Sequence, residues 1–118
     1  MDVTPLIRSD LNIIQSYKDD VIKVTGKHYK APIAVTCDAV YALDFLNELN
    51  DPVQISFLSD QAQIILVGYK NGFMPVAPHI QQKFREVGLT IDAMDYGAAA
   101  RTYNVLATEG RPVAVLFF

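Results

Sequence analysis

QIILVGYKNGFMPVAPHIQQKFREVGLTIDAMDYGAAARTYNVLATEGRPVAVLFF, residues 63–118, decides the fold. It opens on QIILVG, a short continuous apolar run closed by glycine, the pattern of a strand buried on both faces. APHIQQKFREVG follows, with Pro78 suited to a first helical turn and Ile80, Phe84 and Val87 on one stripe at helical spacing. Gly88 fits the left-handed position just past a helix end. LTIDAM reads as a second strand. Asp95 then caps a second helix, whose expected inward stripe is Ala98, Thr102, Val105 and Leu106. Gly110 stops that helix and Pro112 keeps it from resuming. VAVLFF is apolar throughout and is predicted to be a central strand.

Residues of about 63 to 118 therefore read β-α-β-α-β, with parallel strands joined by helical crossovers. Right-handed crossovers predict both helices on one face of a three-stranded parallel unit. Outward from this unit, the first third reads as antiparallel β. LNIIQSY and VIKVT are strands around a turn at Lys18 to Asp20, and HYKAPIAVT resumes after Gly26. Pro32 marks an edge or an irregular spot, because it cannot donate a ladder hydrogen bond. AVYALDFLNEL fits a strand or a helix. Asp51-Pro52 reads as a capped start of a short helix through Phe57 and Leu58. The expected architecture is an α/β single domain over residues 1–118, its N-terminal hairpins extending the parallel sheet or covering its open face.

The chain has 118 residues, is 51% hydrophobic and carries a formal charge of −3. That is enough apolar material to bury a core without metal or disulfide staples. The acidic balance argues against a general nucleic-acid binder. No apolar run approaches the roughly 18–20 residues of a spanning helix. No secretory signal is visible at the start, and Cys37, the one cysteine, fits a reducing compartment, so a cytoplasmic location is expected.

Clefts in open parallel sheets form beyond the carboxyl ends of the strands. Two loops reach that edge: GYKNGFMP after the first parallel strand and MDYGA after the second. In the first, Gly68, Gly72 and Lys70 could cradle an anion on exposed N–H groups, although neither the Walker nor the dinucleotide spacing is present. In the second, Asp95 competes with any anion for the helix N–H groups, which favours capping. Further along, Arg101, Asn104 and Thr108 share one helix face, with Tyr103 on its flank. Glu109 falls beside the inward stripe and needs a cation, Arg111 or Arg101. The residues thus support either a polar network tying helix to sheet or a recognition surface. No catalytic set is legible. Cys37 has no nearby histidine, His28 and His79 lack a near-spaced second metal ligand, and the serines lack a nucleophile elbow. No metal or cofactor is expected.

MDYGAAARTYNVLATEGRPVAVLF resembles a domain family of unknown function. One branch of it is assembly factor 3 of mitochondrial respiratory complex I, and another is the adipogenesis-associated domain-containing proteins. The shared pattern is Met-Asp, an Ala pair, Arg-Thr-Tyr-Asn, Leu, Glu-x-Arg and an apolar strand; IILVGY and TGKHYKAPIAVT are compatible with it. The chain departs from it at Tyr69-Lys70, where the family has Thr-Gly after the glycine, and at Tyr96, where it has Thr. The resemblance implies a compact three-layer β/α/β domain, in agreement with the pattern above, and, for its mitochondrial branch, protein–protein work during complex assembly. Two functions are therefore expected. The first is an assembly-factor-like interaction protein with an unidentified protein partner and an exposed patch drawn from Tyr69, Phe73 and Met74. The alternative is a small-molecule or anion binder, or even an enzyme, using a cleft between the Gly68–Gly72 loop and the Asp95–Arg101 helix start. The expected ligand or partner surface comprises Gly68, Tyr69, Lys70, Gly72, Asp95, Arg101, Tyr103 and Asn104, with Glu109 and Arg111 as a structural polar network.

Overall fold

The computed structural model describes residues 10–44, 49–71 and 75–118. Strands β1 (Ile14–Lys18), β2 (Val21–Val24) and β3 (Lys27–Lys30) form an antiparallel three-stranded sheet in the order β1-β2-β3. Its second hairpin turns on two residues, Thr25 and Gly26, both with positive φ, as a tight hairpin requires. The chain passes through the Ala31–Pro32 cis peptide bond and enters a second sheet. There β4 (Ile33–Thr36), β5 (Val40–Ala42), β6 (Ile64–Tyr69), β7 (Thr90–Asp95) and β8 (Val113–Phe117) run in the order β5-β4-β8-β6-β7. The expected antiparallel region divides: β4 and β5 extend the parallel unit, while β1–β3 form a separate layer rather than covering an open face of that sheet. The ambiguous AVYALDFLNEL segment contains β5; its residues 45–48 lie outside the described residues.

Parallel pairing of β6 with both β7 and β8 confirms the β-α-β-α-β unit. The last strand is central and is buried along its whole length, as its unbroken apolar run predicts. One expectation is corrected. The two helices, α1 (Pro78–Glu86) and α2 (Tyr96–Thr108), lie on opposite faces of the larger sheet. Phe84 of α1 packs with Ile65, Val67, Ala114 and Leu116. Ala99, Tyr103 and Ala107 of α2 pack with Leu66, Val113, Val115 and Phe117. The reason is strand order. β8 sits on the far side of β6 from β7, so the second crossover runs backward, and two right-handed crossovers in opposite directions occupy opposite faces. Sequence periodicity does not encode that order.

The resulting architecture is β/α/β. The three-stranded sheet covers α2, and α2 covers the five-stranded sheet. On the other face lie α1 and a 3-10 helix, Pro52–Leu58, capped by Asp51 with a reciprocal Gln54 contact. Two core clusters follow, one on each side of the larger sheet.

The inward stripes also differ from expectation. On α2 the buried residues are Tyr96, Gly97, Ala99, Ala100, Tyr103 and Ala107, while Val105 is 55% exposed. On α1 only Phe84 is fully buried, and Val87 is 61% exposed. A hydropathy stripe favours Val over Tyr and Ala, but α2 is sandwiched between two sheets. Small residues let it approach the larger sheet closely, and the long Tyr103 reaches toward the smaller one. Gly68 has the same explanation. A Cβ there would stand 3.1 Å from both Ala99 Cβ and Phe117 Cδ1. It is a packing glycine inside a strand, not a loop glycine freeing the backbone.

Candidate functional site

The carboxyl edge of β6 and β7 brings together part of the expected constellation. Tyr69 and Asp95 are register partners at the last positions of the two strands. The chain leaving β6 heads for the α1 face and the chain leaving β7 enters α2 on the other, the divergence at which crevices form in such sheets. Asp95 caps α2, its Oδ1 accepting from the Ala98 N–H at 2.8 Å. Over the first turn, a Cβ built on Gly97 would lie 2.8 Å from Tyr17 Oη, 3.1 Å from Arg101 Nη1 and 3.5 Å from Asp95 Oδ1. The bare glycine is what lets a tyrosine from the small sheet and an arginine one helical turn later crowd there. Lys70 and Arg101 are both exposed. Gly72, Phe73 and Met74 lie outside the described residues.

This rim is backed by aromatic rings. Tyr96 meets Tyr17 and Phe117 edge-on, with ring centroids 5.8 and 5.1 Å apart, and Tyr69 stacks on Phe118 at 6.0 Å. The Tyr96 hydroxyl donates to the Phe118 carbonyl at 2.6 Å. Burial, with a smaller contribution from the Asp20 carboxylate, pushes Tyr96 up from 10.0 to about 12. Tyr103 is raised as well, by burial first and then by Cys37 and Asp38. Both phenols hold their protons more tightly folded than unfolded, so their stabilising effect is complete below pH about 10 and is lost above it. Denaturant melts should be flat across that limit on the acid side. They should then lose stability steadily as pH rises from about 10 to about 12, with a shallower slope in Tyr96→Phe.

The rest of the constellation has a different placement. Tyr103 Oη donates to the Asn12 carbonyl at 3.0 Å. Asn104 Oδ1 accepts from the Ile14 N–H at 2.9 Å, and its Nδ2 donates to the Ile14 carbonyl at 2.8 Å. These two residues bind α2 to β1 and to the segment before it, some 90 residues away in sequence and well away from the rim. Arg101, Asn104 and Thr108, expected to share a face turned outward or toward a neighbouring element, divide between the two: Asn104 is half-buried against β1, while the other two are exposed. Glu109 and Arg111 are also exposed, and no ion pair joins them among the described residues. The ties to the small sheet are made instead by Tyr103 and Asn104.

A second feature escaped the sequence reading. Between the 3-10 helix and the carboxyl end of α1 runs a groove of about 710 Å³, lined by Val53, Ile55, Leu58, Ile65, Val87 and Leu89 among others. It lies at the opposite edge of β6 and β7 from the rim, beside Gln63 and Leu89. Val53, 71% exposed, and Val87, 61% exposed, form its apolar lips. Across it, Lys83 Nζ stands 3.9 Å from Asp51 Oδ2. The clue in the sequence was Val87, which continues the α1 stripe although Gly88 ends the helix there. An apolar residue on the last turn, beyond the reach of the sheet, is free to face a groove.

Among the described residues no helix is long and apolar enough to cross a membrane, and no group of three or more His, Cys, Asp or Glu is placed to hold a metal ion. Several solved structures share the fold. A Bordetella parapertussis protein is 26% identical with a TM-score of 0.79, covering 93% of this chain and 97% of its own. A Bartonella henselae protein described as an outer membrane protein is 25% identical with a TM-score of 0.76, covering 92% and 94%. A Bordetella pertussis Mth938-like domain is 23% identical with a TM-score of 0.72, covering 100% and 92%. No curated protein sequence matches the chain. A family described as protein of unknown function (DUF498/DUF598) matches residues 14–118.

Proposed function

Because the chain belongs to the DUF498/DUF598 family of proteins of unknown function, we propose its role from its own surface: it is a protein-interaction module, assembly-factor-like in holding a partner rather than converting a substrate. One observation carries this reading. Val53 and Val87 are large apolar side chains left 71% and 61% exposed on the lips of one apolar groove. Scattered exposed apolar residues are ordinary, but a contiguous set bordering a concavity is the signature of a contact surface. The occupant that fits is an amphipathic segment of a partner protein. Its apolar anchors fill the groove over Ile55, Leu58 and Leu89, and its polar side lies toward the Asp51–Lys83 pair. The alternative, a small-molecule or anion site at the Lys70 and Arg101 rim, is supported by the side chains gathered over Gly97. It has less support, because both cations stand in solvent.

Val53→Glu combined with Val87→Glu replaces exposed side chains, so stability should change by no more than about 0.5 kcal/mol. Affinity capture with the wild type and with this variant tests the reading. Proteins retained by the wild type should be depleted at least about tenfold by the variant, the effect of losing one or two anchors. An identical set of retained proteins would remove the groove from the function.

A further inference from the structure

The three-stranded sheet carries a charge opposite to that of the rest of the chain. Four of the six lysines fall between residues 18 and 30, facing only Asp19 and Asp20, so residues 14–30 are formally +2 in a chain of −3. The register sorts them. Lys18, Val21 and Lys30 are cross-strand partners in one row, and Ser16, Lys23 and His28 in the next row on the same face. The intervening row, Tyr17, Ile22 and Tyr29, points the other way: Ile22 is fully buried, Tyr29 packs against the core and Tyr17 meets Tyr96. The outer face therefore presents three ammonium groups and an imidazole, with no carboxylate among its strand residues. Lys30 stands 3.9 Å from Asp20 at the turn, but its side chain is 77% exposed, and such a pair is weak and easily exchanged.

We infer that this outer face docks an extended, acidic segment of a partner protein, at a surface separate from the apolar groove. Strand spacing and rise set the lysines about 7–10 Å apart, matching carboxylates on alternate residues of an extended chain. The chemistry disfavours other polyanions. Among the described residues the face has no arginine to grip phosphates in two-pronged fashion. Its tyrosine rings lie on the other side of the strands, and the lone imidazole of His28 is no platform on which successive bases could stack. Its one apolar member, Val21, is half-buried, so nothing is available to insert into a bilayer.

The test uses a labelled decaglutamate peptide, with a single-stranded oligonucleotide and phosphatidylserine vesicles as competing probes. The full chain should bind the peptide at low ionic strength and release it at about 0.5 M salt, where screening shortens electrostatic reach to a few ångströms. Lys18→Gln/Lys23→Gln/Lys30→Gln should weaken binding by roughly tenfold, three exposed charge pairs' worth. Arg85→Gln, on the opposite side of the molecule, should bind as the wild type does. Should the triple variant melt early, Lys23→Gln and Lys30→Gln singly carry the same comparison with smaller losses. The inference is overturned if the wild type ignores the peptide, if Arg85→Gln weakens binding as much as the lysine changes, or if the oligonucleotide or the vesicles bind better than the peptide. Salt-sensitive self-association in place of peptide binding would also overturn it, since the occupant would then be a second copy.

Discussion

Tyr103→Ala is expected to lower folding stability by about 3–5 kcal/mol, the range for deleting a fully buried aromatic ring. Tyr103 is among the largest completely buried side chains, and it sits in the layer between the two sheets. Its removal leaves a cavity that β1 and the larger sheet, each held by its own hydrogen-bond ladder, cannot close. The hydroxyl adds a separate, smaller contribution. Tyr103→Phe keeps the ring and loses the hydroxyl's bond to the Asn12 carbonyl together with its contact with Cys37, so it should cost about 1 kcal/mol. Equilibrium denaturation of both variants separates the two effects. Equal losses would mean that the hydrogen bond, not the ring, holds the layers together.

Asn104→Ala should cost about 2–3 kcal/mol through another cause. One side-chain amide satisfies both the N–H and the C=O of Ile14. Ile14 is where the β1–β2 register shifts, so the ladder is irregular at the position the amide occupies. Truncation leaves a half-buried donor and acceptor with reduced access to water, each costing on the order of 1–3 kcal/mol when wholly unpaired. Native-state hydrogen exchange gives the sharper measurement. The Ile14 amide should lose protection while the amides of β8 keep theirs. Uniform loss across both sheets would show that Asn104 acts on the whole fold rather than on the attachment of β1.

Much of this was legible before any coordinates. QIILVG, LTIDAM and VAVLFF became β6, β7 and β8; Asp51 and Asp95 cap the helices they were expected to cap; Gly88 and Gly110 both have positive φ. These are local signals, and local chemistry fixes them. What failed was relational. Strand order decided which face each helix takes, and two-sided burial of α2 made Ala99, Tyr103 and Ala107 the inward set instead of Val105. Of the polar residues at the end of the chain, Tyr103 and Asn104 bond to backbone groups that lie far back in the sequence, a pairing no local pattern encodes. The groove was invisible because it forms between two segments whose juxtaposition depends on the same sheet order.

The position of β8 has a consequence for how the molecule comes into being. It pairs with β4 on one side and β6 on the other, yet it is synthesised after both. Until it emerges from the ribosome, two hydrophobic strands expose unmatched backbone groups with no neighbour between them. Such a nascent chain is prone to aggregate and slow to complete its long-range pairing. That exposure ends only when β8 slides into the gap between them.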